Sequence, residues 1–241
     1  MPVLKISPRW FLIGISALIL SNGASAQQSP AGISSSAGAA AASLPLPKDV
    51  DPVSRFRLPL PKKEDMDDYG KKVWDKLLDP SRPSLAGLQG PNGIRLWSPH
   101  IAEAYGDANA YLRVGTGFGN RITEIAIMTT AREMENQFEW TAHEVAGLKA
   151  GVEPIIVDII KYRKPVVGLG EKETVVIRLG RELFGQKKVS SETFADARRL
   201  FGNQGIVDLV SLMAHYSATS VLLNALDMQL PEGQKPLLPV Q

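Results

Sequence analysis

The sequence contains no cysteine, only 3 histidines, and 7% aromatic residues. Without cysteine there is no disulfide, no thiolate metal site and no thiol-based redox or nucleophilic chemistry. An excess of either charge is missing too: 27 Lys and Arg stand against 25 Asp and Glu. A net charge of +2 leaves no electrostatic footprint for nucleic acid. No convincing strand pattern of alternating apolar and polar residues appears either. What is present is an ordinary globular composition, 44% hydrophobic and 22% charged. Its 241 residues suit one domain with appendages and are ample for a core without staples.

Residues 1–26 read as a secretory signal peptide. Lys5 and Arg9 form a basic start, residues 10–20 are mostly apolar, and Ala24-Ser25-Ala26 offers a cleavage pattern. The apolar run is too short for a bilayer span, which needs about 20 residues, so no membrane span is expected after cleavage. Losing Lys5 and Arg9 leaves acidic and basic residues equal in number. The expected location is periplasmic or secreted, where a cysteine-free chain escapes accidental disulfides. Residues 27–52 are rich in Ala, Ser and Pro and hold few large apolar residues, so they are expected to form a disordered tether. A folded domain is expected over 53–233, followed by a C-terminal tail at 234–241.

The punctuation of that domain is helical. Met66, Tyr69, Val73 and Leu77 share one helix face, and Asp79-Pro80 stops it. Residues 87–97 read as a loop. Ser98-Pro99 marks a helix start, with proline at the first helical position. Residues 121–134 and 136–150 form a helical hairpin closed by Gly151. Further helices are expected over 153–162, 171–184, 191–201 and 205–228, the last apolar on most sides and central to the core. The predicted fold class is all-α.

On a helical wheel, Asn136, Glu139, Trp140, His143 and Gly147 fall within about 100° of one another. A face mixing an amide, a carboxylate, an indole and an imidazole suits a pocket wall. Glu139 and His143 are four residues apart, which allows either a surface ion pair or an oriented general acid. Glu124 either reaches this pocket across the hairpin or pairs with Arg121 or Arg132. His100 and His215 have the settings of a cap and a core residue. No metal site is expected, because Gly147 stands where an H-E-x-x-H motif needs its second histidine. The glycines at 115, 117 and 119 follow a helical pattern rather than a strand, unlike a dinucleotide loop.

The stretch from Arg121-Ile-Thr-Glu124 to Glu139-Trp-Thr-Ala-His143 and Gly147-Leu-x-Ala-Gly151-Val resembles the carboxymuconolactone decarboxylase family. Gly90-Pro91-Asn92-Gly93-Ile94 and Leu222-Leu223-Asn224-Ala225-Leu226 are similar to its flanking segments. The resemblance implies an alkylhydroperoxidase D-like helical bundle built around the hairpin. Family peroxidases carry Glu-x11-Cys-x-x-Cys-x3-His; here the spacing is kept, but Asn136 and Glu139 occupy the cysteine positions. A disulfide relay cannot run without thiols, so peroxidase activity is not expected. The resemblance instead implies a cofactor-free lyase acting on a small carboxylated lactone or keto-acid. His143 would be the proton donor, Glu139 its orienting partner and Glu124 a second acid or base, with Asn136, Trp140 and Gly147 lining the substrate. It further implies a homo-oligomer, trimeric or hexameric. The alternative on the same fold is a non-catalytic small-acid-binding or assembly protein.

Overall fold

The computed structural model describes residues 45–80 and 84–239. The chain divides into Met1–Ala42 and Ser43–Gln241. The first unit, with the expected signal peptide and most of the tether, lies outside the described residues.

Every regular element among the described residues is a helix, and none is a strand. The all-α expectation therefore holds. After a 3-10 turn at Lys63–Asp65 come α1 (Asp68–Leu77), α2 (Pro91–Arg95) and α3 (Pro99–Ala110). A π-helical turn, Tyr111–Gly115, extends α3. The hairpin is α4 (Asn120–Glu133) and α5 (Gln137–Lys149), followed by α6 (Pro154–Lys161) and α7 (Glu171–Arg181). The last element, α8 (Ser191–Ala225), is broken at Gly202, whose φ of 70° interrupts the helix where two helices were expected.

Local chemistry sets several boundaries. Asp67 accepts a hydrogen bond from the Gly70 N–H, so α1 starts there and Met66 lies just before the helix. Val73 and Leu77 bury the face anticipated for α1, with Met66 and Tyr69 packed beside them. Ser98 and Pro99 open α3 as expected, although the Ser98 hydroxyl makes no capping bond. Residues 87–97, expected as a loop, contain α2. Pro91 starts this short helix, and Gly93 lets it pack where no side chain fits: a Cβ would lie 1.9 Å from the Leu88 carbonyl oxygen.

The centre of the domain is α4, which packs against α5, α6, α7 and α8. Every residue from Ile122 to Arg132 is buried. Thr129 and Thr130 are no obstacle, because they donate to the carbonyls of Ile125 and Ala126 within the helix. α8 adds Leu209, Leu212 and Met213 to the same core. By length and composition α8 would also cross a membrane, yet half of its apolar window is buried inside the domain.

The folded unit reaches beyond the expected limits of 53–233. Val50, assigned to the tether, is buried, and the Asp51 carboxylate accepts from the backbone of Val53 and Ser54. At the other end Leu238, assigned to the tail, enters the main core. Leu237 packs against the same core beside it.

Candidate active site

A cavity of about 1070 Å³ opens between α2, α3, the π-helical turn, the hairpin and α8. That is just above the range for small-molecule pockets, about 300–1,000 Å³. Its inner wall carries most of the domain's buried ionisable groups.

At its heart lies His143, which is only 3% exposed. Nδ1 is 2.6 Å from Glu124 Oε2, and Nε2 is 3.3 Å from Glu139 Oε2. Burial on its own pulls the imidazole down. The hydrogen bonds and charges of Glu124 and Glu139 outweigh it and push His143 up to about 9. The ring is therefore an imidazolium at neutral pH, held between two carboxylates. The π-helical turn aims Arg113 at the same cluster, where it donates to Glu124 Oε1 at 2.8 Å. Such turns displace a side chain from the regular helical position and are common at functional sites. Tyr216 stands edge-on to the imidazole, with ring centroids 5.1 Å apart. Burial raises its hydroxyl pKa well above the usual tyrosine value, so Tyr216 is a neutral group.

A second group lies on the α2 and α8 side. Arg95, 7% exposed, donates to Thr219 Oγ1 at 2.6 Å and stacks 4.3 Å from the Tyr105 ring centroid. Among the described residues it has no ion-pair partner. Beside it, burial first and then the charge of Arg95 hold His215 down at about 4, so that ring is neutral. The buried hydroxyl of Thr123 on α4 also borders the cavity and has no hydrogen-bond partner.

The structure brings Glu124, Glu139 and His143 together. Arg121, a possible partner of Glu124, instead pairs with Glu153 and Glu173. Arg132 turns to the Lys161 carbonyl and to Glu135. Both leave Glu124 to the cavity.

Asn136, Trp140 and Gly147 do not join it. Asn136 is the N-cap of α5, accepting from the Glu139 N–H and donating to Asn224 and the Ser220 carbonyl. It thus lies outside the helical wheel on which it was placed. Trp140 is fully buried in the core and donates to Glu144, which Lys161 also meets. Gly147 faces α4: a Cβ there would stand 2.9 Å from Met128 Cε. The mixed stripe therefore divides. Its Glu139–His143 edge lines the cavity, and its Trp140–Gly147 edge packs against the protein. Phe138 and Val145, which lie off this stripe, border the cavity as well.

Sequence reasoning missed Arg95, Arg113, Thr123 and Tyr216. One usable signal existed: His215, Tyr216 and Thr219 interrupt an otherwise apolar helix within little more than one turn. His100 stacks on Tyr69 away from the cavity. No group of three or more His, Asp or Glu side chains among the described residues is placed to hold a metal ion. Comparison with family models and with curated proteins gives no match to this chain.

Chemically, the site is a buried protonated imidazole flanked by carboxylates. His143 carries a proton between two acceptors, and Arg113 neutralises the carboxylate on one side. A group with a pKa near 9 gives its proton readily to a more basic carbanion or enolate.

Proposed function

We propose that this chain is an exported, cofactor-free lyase of the carboxymuconolactone decarboxylase type, acting on a small carboxylated lactone or keto-acid. The observation that carries the reading is the buried His143 imidazolium, held by Glu124 and Glu139 on the wall of a ligand-sized cavity. Export rests on the composition of residues 1–26.

In this reaction the carbon–carbon bond to the carboxylate breaks and CO2 leaves. The electron pair passes into the substrate's own conjugated carbonyl, giving an enolate. His143 donates its proton to carbon from the Nε2 side, and Glu139 beside Nε2 relays a replacement. Glu124 and Arg113 hold the ring while its charge changes. Neutral Tyr216 fixes the imidazole plane. The protein positions the acid, steadies the oxyanion and supplies one proton.

The proposed enzyme is a homo-oligomer. Supporting this, α8 presents Val207, Ser211, Ala214 and Val221 to solvent in the single chain, a stripe without charge.

The test is to incubate wild type and His143→Ala with a panel of lactones and keto-acids while following CO2 release and product mass. Turnover should fall about 10²–10⁴-fold in the variant, the usual contribution of a general acid, with helicity unchanged. Equal turnover removes His143 from the mechanism. Saturable binding of small acids without product would favour the binding-protein alternative, on which His143 is a structural ion.

A further inference from the structure

Arg95 is costly to bury, and no carboxylate among the described residues bonds to it; the charge of Glu139 offsets its burial only from a distance. Of the cations on the inner wall, His143 lies between Glu124 and Glu139, and Arg113 is bound to Glu124. Arg95 alone has only a neutral hydroxyl, Thr219 Oγ1, and the face of Tyr105. Its guanidinium has five N–H donors, and the bond to Thr219 uses one of them. Thr219 is itself fixed, because its hydroxyl donates to the His215 carbonyl at 2.8 Å. The fork is therefore held in place by a hydrogen bond on one side and a ring on the other.

The charges around the cavity point the same way. On the inner wall Arg95, Arg113 and the His143 imidazolium oppose Glu124 and Glu139, and at the exposed rim Lys149 and Lys235 add to the positive surplus. The unpartnered hydroxyl of Thr123 adds a polar group with nothing in the protein to bond. Buried charges in proteins are paired, so the missing partner is expected from outside the chain.

We propose that Arg95, fixed by Thr219 and Tyr105, is the anchor for the carboxylate of a small monoanionic ligand. This rests on the same cavity as the lyase reading and names how that site selects an acid over its neutral counterpart. A planar carboxylate accepts two parallel N–H bonds from a guanidinium fork. His215, kept neutral beside Arg95, adds no competing charge.

The experiment uses the full chain and three pairs of probes: acetate and acetamide, benzoate and benzamide, and 4-oxopentanoate and its methyl ester. Calorimetry measures binding, and NMR follows the His215 ring titration. At least one carboxylate should bind saturably, and its neutral counterpart should not. Arg95→Met should weaken that binding about 10- to 100-fold, the scale of a charge-assisted bond. Arg95→Lys should retain part of it. In wild type, a bound carboxylate should raise the His215 titration midpoint by offsetting the Arg95 charge, a readout that a merely structural arginine would not move. The proposal is overturned if no carboxylate binds, if neutral probes bind equally, or if Arg95→Met binds as wild type does. Should Arg95→Met fail to fold, the Arg95→Lys affinity and the His215 shift decide. Carboxylate binding at Arg95 with no turnover of any acid would sink the lyase reading and leave the anchor standing. Turnover that persists in Arg95→Met with an unchanged KM would do the reverse.

Discussion

At the scale of single residues, two histidines with opposite environments govern pH behaviour. His143 rises to about 9 when folded, against 6.5 for the free side chain. Its contribution to stability is full below pH 6.5 and is lost as pH rises toward 9, on the order of 3 kcal/mol. His215 falls to about 4. Its contribution is present above pH 6.5 and is lost as pH falls through 4. Denaturant melts should therefore show highest stability near pH 6.5, with His143→Gln flattening the alkaline limb and His215→Gln the acid limb. Activity by the proposed route should decline above about pH 9, where His143 loses its proton; a flat rate profile from pH 7 to 10 would contradict it. The cluster of Glu124, Glu139 and His143 was legible because helical spacing brings Glu139 and His143 together and the hairpin brings Glu124 across. Arg95 and Arg113 were not. One sits on a short helix hidden in a glycine-rich segment and the other on a π-helical turn, and neither position follows a 3.6-residue period.

At the scale of elements, the hairpin is set by its caps and close approaches. Asn136→Ala removes the N-cap of α5 and the bond to Asn224. It should cost about 1–2 kcal/mol, read as a lower midpoint in urea. Asn136 was misplaced in the sequence because a wheel treats every position as helical, whereas a cap residue has extended backbone. Gly93→Ala should be more damaging, at least about 3 kcal/mol, because its Cβ meets the backbone oxygen of Leu88 and α2 has to shift. Arg95, two residues further on, would move with it. The central place of α4 was obscured for a related reason. Thr129, Thr130, Glu124 and Arg132 put polar groups along α4, and each of these four is bonded inside the domain. The amphipathic α1, which has one wet side, was legible from its period alone.

At the scale of the whole molecule, the domain is closed by its flanks. The chain from Leu230 to Leu237 borders the cavity, and Leu238 enters the core. Deleting residues from 234 onward should lower stability by about 1.5–3 kcal/mol, the worth of one buried leucine. The measurement is thermal unfolding of the truncated chain beside the full one. The proposed homo-oligomer predicts that light scattering gives more than one protomer's mass, and that Val221→Lys reduces it. These flanks also fix an order of assembly. Glu124, Glu139 and His143 leave the ribosome well before Tyr216, Thr219 and the 230–238 segment. Until α8 arrives, those charges remain in water and the hairpin pays no desolvation cost. Burial of the ion cluster and completion of the cavity thus coincide in one late step, so a nascent chain stalled before α8 carries Glu124, Glu139 and His143 without the cavity around them.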